Sequence, residues 1–257
     1  MGYYYADREN YEEIQASLGT KGNRHPLSYV LEAADDIAYL TADIEDAFKK
    51  GCITFTQLIK ELNEYGKQEP EDSDYNKMVQ MLIRRFEKGV ERGEEQPEMY
   101  AVQNWIIQVQ GKLIYSATES FASHYGQIME GTYTKELLKG TSGELIAEAL
   151  GGIAYKYAFL SQPILKVEIA AETILHFLLD KFVAAILYYD TDRKLSGVQN
   201  KLVSLISENY KKMYRLCAAG RSDQEKLYLR LLLVTDYICG MTDGYARNLY
   251  LELNGEI

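Results

Sequence analysis

Cysteine, histidine, tryptophan and proline are all scarce in this 257-residue sequence, with three, three, one and four copies. The cysteines, Cys52, Cys217 and Cys239, stand far apart, form no C-x-x-C pair and are odd in number. That spacing excludes a disulfide framework or a zinc cage and points to a reducing compartment. His25, His124 and His176 are not paired at helical spacing, so this chain alone is not expected to build a histidine-rich metal site, and each histidine reads as structural or superficial. Among catalytic signatures, G-x-x-x-x-G-K-[ST], G-x-G-x-x-G, G-x-S-x-G, H-E-x-x-H and the EF-hand loop are all missing. Long apolar runs are missing too: the most apolar stretch, Ile174 to Tyr189, is interrupted by His176, Asp180 and Lys181, short of the roughly 20 residues a membrane span needs. The opening MGYYYADREN has neither the basic start nor the apolar core of a signal peptide. The expectation is a cytoplasmic protein with no membrane contact.

Positive charge is also in deficit. Lys and Arg number 28 against 38 Asp and Glu, a formal charge of -10, which repels a phosphate backbone unless a local basic patch or bound cation reverses the field, so nucleic acid is an unpromising partner. What is abundant is apolar material, 47% of residues, enough for one substantial core or at most two.

The apolar residues recur at helical spacing almost throughout. Pro26 and Pro97 precede long periodic stretches, as proline does in a first helical turn. One helix is expected from Pro26 to Lys50, closed by Gly51 in the left-handed conformation. Thr54 or Thr56 is expected to cap a shorter helix ending near Gly66, followed by a helix carrying Met78 to Phe86. A single long helix is expected from Pro97 to Gly131 with Trp105 in the core. Capping boxes are read at Thr141 with Glu144 and at Ser222 with Glu225. Further helices are expected from Pro163 to Tyr189, Leu195 to Cys217 and Ser222 to Leu253, the last closed by Gly255. No run alternates as a strand does, and no linker or repeat divides the chain, so a single all-helical domain over residues 1–257 is expected.

The segment with most chemical content is Arg24-His25-Pro26-Leu27-Ser28-Tyr29-Val30-Leu31-Glu32-Ala33-Ala34-Asp35-Asp36-Ile37-Ala38-Tyr39, continuing Leu40-Thr41-Ala42-Asp43-Ile44-Glu45-Asp46-Ala47. Asp35, Tyr39 and Asp43 fall at i, i+4 and i+8 along one helix, and the small neighbours Ala34 and Ala38 suggest that Asp35 is buried. A buried carboxylate without an adjacent cation, next to like-charged Asp36, needs a partner such as a divalent ion. A solvated acidic face has the same pattern, so spacing alone leaves both open.

This run resembles the signature helix of the deoxyguanosinetriphosphate triphosphohydrolases, the dGTPase or dNTPase branch of the HD-domain phosphohydrolases. Three other stretches agree with that family: Gly2-Tyr3-Tyr4-Tyr5, Gly51-Cys52-Ile53-Thr54 and Asp236-Tyr237-Ile238-Cys239-Gly240-Met241-Thr242-Asp243-Gly244-Tyr245-Ala246. The resemblance implies an all-α, multi-helical HD-domain-like bundle and hydrolysis of dGTP or another dNTP to the deoxynucleoside and tripolyphosphate on a divalent metal such as Mg or Mn. It maps Asp35 to the last metal ligand, Tyr39 and Asp43 to contacts with the deoxyribose and its 3′-hydroxyl, and Tyr245 to the neighbourhood of the nucleotide. The family's first histidine and its His-Asp pair should precede the Gly-Tyr-Tyr segment, and the sequence contains no His-Asp dipeptide. The implied protein is therefore the C-terminal portion of a dNTP triphosphohydrolase, lacking the N-terminal part of the HD core, holding no metal tightly by itself, inactive alone, and associating as a homo-oligomer or with the missing N-terminal half. Two other classes stay in view: a non-catalytic helical interaction or regulatory module derived from that family, and a metal-independent nucleotide-binding allosteric domain.

Overall fold

The computed structural model describes residues 3–20 and 22–256, so Gly2 of the Gly-Tyr-Tyr stretch lies outside the described residues. Among those residues the chain is all-α, with twelve α-helices and no strand. It divides into two compact units, Met1–Gln162 and Pro163–Ile257, each with its own apolar cluster.

In the first unit α1 (Arg8–Leu18) is followed by α2 (Pro26–Lys49), α3 (Phe55–Tyr65), α4 (Asp74–Glu91), α5 (Pro97–Ser123), α6 (Tyr125–Met129) and α7 (Glu144–Ala154), which runs on into a π-helical turn, Tyr155–Phe159. The expected starts at Pro26 and Pro97 hold, and Gly51 (φ 69°) closes α2 in the left-handed region open to glycine. The imidazole of His25 caps α2, its Nδ1 accepting from the Leu27 amide at 3.2 Å. Sequence gave no expectation of α1. Its apolar residues Tyr11, Ile14 and Leu18 stand at helical spacing but are few, and none of its residues is buried.

Helix α3 settles the choice between two threonines. Thr54 Oγ1 accepts from the Gln57 amide at 3.2 Å while the Gln57 side chain accepts from the Thr54 amide at 2.9 Å, a reciprocal box. Thr54→Ala is expected to cost about 1 kcal/mol of stability, while Thr56→Ala stays within about 0.5 kcal/mol as an exposed change; urea midpoints of the two variants check it.

Helix α5 packs against both α4 and α2. Trp105 on α5 is fully buried and its Nε1 donates to the Met78 carbonyl on α4 at 2.8 Å. Buried Thr41 on α2 donates to the Ile37 carbonyl and accepts from Gln110 Nε2 on α5 at 2.8 Å, so its hydroxyl is satisfied inside the core. Helix α7 lies against both α2 and α3. At Gly152 a Cβ would overlap the Tyr65 phenol oxygen on α3, so any larger residue there would have to displace that side chain.

The long helix expected from Pro97 to Gly131 instead breaks at His124. The box expected at Thr141 and Glu144 is not formed: the N-cap is Gly143, the Thr141 hydroxyl donates to the Leu138 carbonyl, and the Glu144 carboxylate accepts from the Gly140 amide at 2.8 Å. A helix does start there, held by a different set of bonds.

The second unit comprises α8 (Gln162–Ile186), α9 (Gly197–Leu205), α10 (Glu208–Ala218), α11 (Asp223–Cys239) and α12 (Asp243–Asn254) around Leu178, Phe182, Ile186, Val234 and Tyr237. The Ser222–Glu225 box is present as expected and Gly255 (φ 83°) closes α12. Two helices expected to be continuous are each two. Ile206 takes an extended conformation and Ser207 caps α10; Gly240 ends α11 and Thr242 caps α12. In both cases apolar periodicity continues across a hydroxyl residue that starts a new helix. No helix among the described residues is long and apolar enough to cross a membrane.

Candidate functional site

Helix α2 faces α7 and the segment before it across a cleft of about 390 Å³ in the first unit. From α2 it receives Glu32, Asp36, Tyr39, Leu40 and Asp43, spaced 4, 3, 1 and 3 apart, which is one continuous stripe at 3.6 residues per turn. From α7 come Glu144, Ala147, Glu148, Gly151 and Ala154, again a single helical face, and Glu136 to Lys139 close one end.

Six carboxylates and one lysine line this cleft. Glu32 pairs with Arg24 at 2.6 Å, whose guanidinium lies over the Tyr29 ring. Lys139 pairs with Glu144 and, at 3.2 Å, with Glu148. Asp36, Asp43 and Glu136 have no ion pair among the described residues. Burial, reinforced by Glu32, Glu136 and Asp35, raises the Asp36 pKa, and burial with Asp46 raises that of Asp43 against the opposing pull of Lys50. Glu144 is shifted the other way, held below the ordinary carboxylate range by Lys139 and the Gly140 amide.

The raised pKa of Asp36 carries a sign. Its folded-state pKa lies above the unfolded value, so ionising it costs more in the fold; the penalty is absent below both values and accumulates as pH rises through the carboxylate range. Asp36→Asn is therefore expected to be more stable than the wild type at pH 7, with the difference shrinking on acidification to about pH 3. Parallel urea titrations at the two pH values check it; equal midpoint differences at both would contradict the assignment.

Of the residues singled out in sequence, Tyr39 and Asp43 line the cleft together, Tyr39 64% exposed and Asp43 half-buried. Asp35 does not line it. The expectation that Asp35 is buried is corrected here: its side chain is exposed, and so is that of its neighbour Asp36; about 100° of helix rotation from Asp36, Asp35 falls outside the stripe that lines the cleft. The alanines beside it, Ala34 and Ala38, are exposed as well, so small neighbours there mark an open face. Tyr245 lies in the second unit on α12, half-exposed, its hydroxyl 3.5 Å from that of Tyr237.

The residues present do not compose a cation site. Among the described residues no three His, Cys, Asp or Glu side chains converge so as to hold a metal ion, and one exposed carboxylate is too few donors for a divalent ion.

Sequence reading missed Asp36, Glu136, Lys139 and Glu148 as cleft residues. For Asp36 the signal was present, since the stripe through residues 32, 36, 39 and 43 has better helical register than the one through 35, 39 and 43. The others stand at least 93 residues from Asp43 along the chain, and no local pattern connects them.

Fold and cleft thus define an all-α protein that presents a carboxylate-rich cleft beside an aromatic hydroxyl. No family model matches the chain. Over 99% of its length it is 43% identical to a deoxyguanosinetriphosphate triphosphohydrolase-like protein of Listeria monocytogenes and, equally, to one of Listeria innocua. Over 98% it is 28% identical to a deoxyguanosinetriphosphate triphosphohydrolase of Yersinia pestis. The chain spans about half the length of these curated relatives, 54% and 53%. It is a homologue, from near one end to near the other, of part of a deoxyguanosinetriphosphate triphosphohydrolase-like protein, in agreement with the resemblance carried by its Arg24–Ala47 run.

Proposed function

We propose that this chain is the C-terminal portion of a dNTP triphosphohydrolase, converting dGTP and water to deoxyguanosine and tripolyphosphate, and that it supplies the surface on which the deoxyribose rests. The observation that carries this reading is relatedness to proteins of that name over nearly the whole chain. The placement of Tyr39 and Asp43 in one cleft, one helical turn apart, supports it.

In this reading the Tyr39 ring packs on the sugar and the Asp43 carboxylate accepts a hydrogen bond from its 3′-hydroxyl. A site built to receive that hydroxyl disfavours sugars lacking it, because its half-buried acceptor is then left unpaired. The cleft's six carboxylates disfavour a triphosphate, so the phosphate end is held by groups outside this sequence. A divalent cation belongs to the complete enzyme, with Asp35 as one donor. The apolar outer face of α2, with Leu27 and Leu31 65% and 69% exposed, is the surface against which the remaining part of a full-length protein would lie.

Incubation with dGTP tests the reading, with tripolyphosphate measured by ion chromatography. This chain alone is expected to release none, and a protein of the relatives' full length that includes it is expected to release tripolyphosphate and deoxyguanosine in equal amounts. Release by the chain alone would overturn the incompleteness of its site. No release by the full-length protein would overturn the enzyme assignment in favour of a non-catalytic interaction module.

A further inference from the structure

The second unit contains a separate cavity of about 700 Å³ whose chemistry the hydrolase reading does not use. One wall is the face of α11 carrying Asp223, Lys226, Leu227 and Arg230, at i, i+3, i+4 and i+7. The other is the α8–α9 connection, including Tyr188, Asp190, Thr191, Asp192 and Arg193. Asp190 adopts φ 56°, the one positive φ outside glycine among the described residues, a turn that aspartate accepts more readily than most residues.

Arg230 sets this cavity apart. It is 6% exposed, and its Nε has no hydrogen-bond partner among the described residues. Its Nη1 donates to the Tyr189 carbonyl over a long 3.4 Å, and the Tyr214 phenol lies within hydrogen-bonding reach of the guanidinium. The ion pairs of this unit join Lys211 and Arg215 to Glu208 and Arg221 to Glu225; among the described residues none includes Arg230. The carboxylates on the cavity rim, Asp190, Asp192 and Asp223, are exposed, and Asp190 accepts from the Tyr214 hydroxyl at 3.4 Å. A buried guanidinium costs several kcal/mol unless an anion and hydrogen bonds compensate it, and this one reaches a cavity within the size range of small-ligand sites.

We propose that this cavity binds a phosphate group, received by Arg230 with Lys226 and Arg193 as flanking cations. The planar guanidinium fork matches phosphate oxygens in pairs, and three cations suit a dianion better than a single carboxylate. Arg193 is already oriented, its guanidinium 3.8 Å from the centre of the Tyr188 ring. The three rim carboxylates leave the lining with no net positive charge, so the ligand is a monophosphate, free or esterified, and not a triphosphate.

The experiment is isothermal titration of this chain in EDTA with inorganic phosphate and, separately, with deoxyguanosine monophosphate. Saturable one-to-one binding of either is expected, with equal affinity indicating recognition of phosphate alone and tighter monophosphate binding indicating an ester. Arg230→Met, which keeps the buried volume, is expected to weaken it roughly tenfold or more. Should that variant lose its helical circular dichroism, Lys226→Gln, at a half-buried rim position, must still weaken binding. The proposal is overturned by absence of saturation with both probes, or by affinities unchanged in the folded variants. Since neither dGTP hydrolysis nor a metal enters the measurement, its outcome is independent of the hydrolase reading.

Discussion

Trp105→Ala is expected to lower the unfolding free energy of the chain by roughly 3–5 kcal/mol, the range for removing a large aromatic from a core. Two losses combine. The indole is completely buried between α4 and α5, among Val79, Leu82, Val102 and Val109 of the same cluster, so truncation leaves a cavity that rigid helices close only in part. It also leaves the Met78 carbonyl without the 2.8 Å bond from Nε1. Tyr115→Ala on the same helix, 62% exposed, is the control and is expected to change stability by less than about 0.5 kcal/mol. Because Trp105 is the only tryptophan, its fluorescence disappears with it, and the comparison is made by far-ultraviolet circular dichroism in urea. A loss below about 1 kcal/mol would mean that the α4–α5 contact is not the stabilising centre of the first unit.

The second large effect concerns Asp43 in a protein of the relatives' full length. Under the proposed reading, Asp43→Ala lowers kcat/KM for dGTP by roughly 10- to 100-fold, the equivalent of a charge-assisted hydrogen bond of about 1.5–3 kcal/mol. The informative comparison is with 2′,3′-dideoxyguanosine triphosphate, which lacks the 3′-hydroxyl. The wild type is expected to discriminate against it by a similar factor, and Asp43→Ala to lose that discrimination, as in a double-mutant cycle with one partner on the substrate. Equal losses with both nucleotides would assign Asp43 to structure and remove the sugar contact from the proposal. Asp43 is a suitable carboxylate for such a role, since burial and Asp46 already disfavour its ionised form, and a group kept at a cost to stability is more readily explained by binding than by folding.

Several features of the fold were legible because they are local. Proline at positions 26 and 97, serine at 222 and glycine at 51 and 255 act within one turn of themselves, through a fixed φ, a side-chain cap or a permitted left-handed φ, while the cap of α3 was legible only as Thr54 or Thr56. Trp105 was legible as core from its neighbours at helical spacing. The breaks at His124, Ile206 and Gly240 were less so, because an apolar stripe can run on through a point where the backbone turns and a new cap takes over, and Ser207 and Thr242 were the only local marks of it.

The sequence by itself determined an all-α chain, the starts of most of its helices and, through the Arg24–Ala47 and Asp236–Ala246 runs, its relatives. Tertiary structure decided which carboxylates matter. Asp35 and Asp36 are neighbours in sequence and both are exposed, yet about 100° of rotation leaves only Asp36 in the lining of the cleft. Only packing brings Lys139 and Glu148 opposite Asp43, and only packing buries Arg230, which forms no ion pair among the described residues. Helix caps depend on residues three or four apart, which a sequence displays. The environment of a charge depends on whatever the fold places beside it, and no local pattern carries that information.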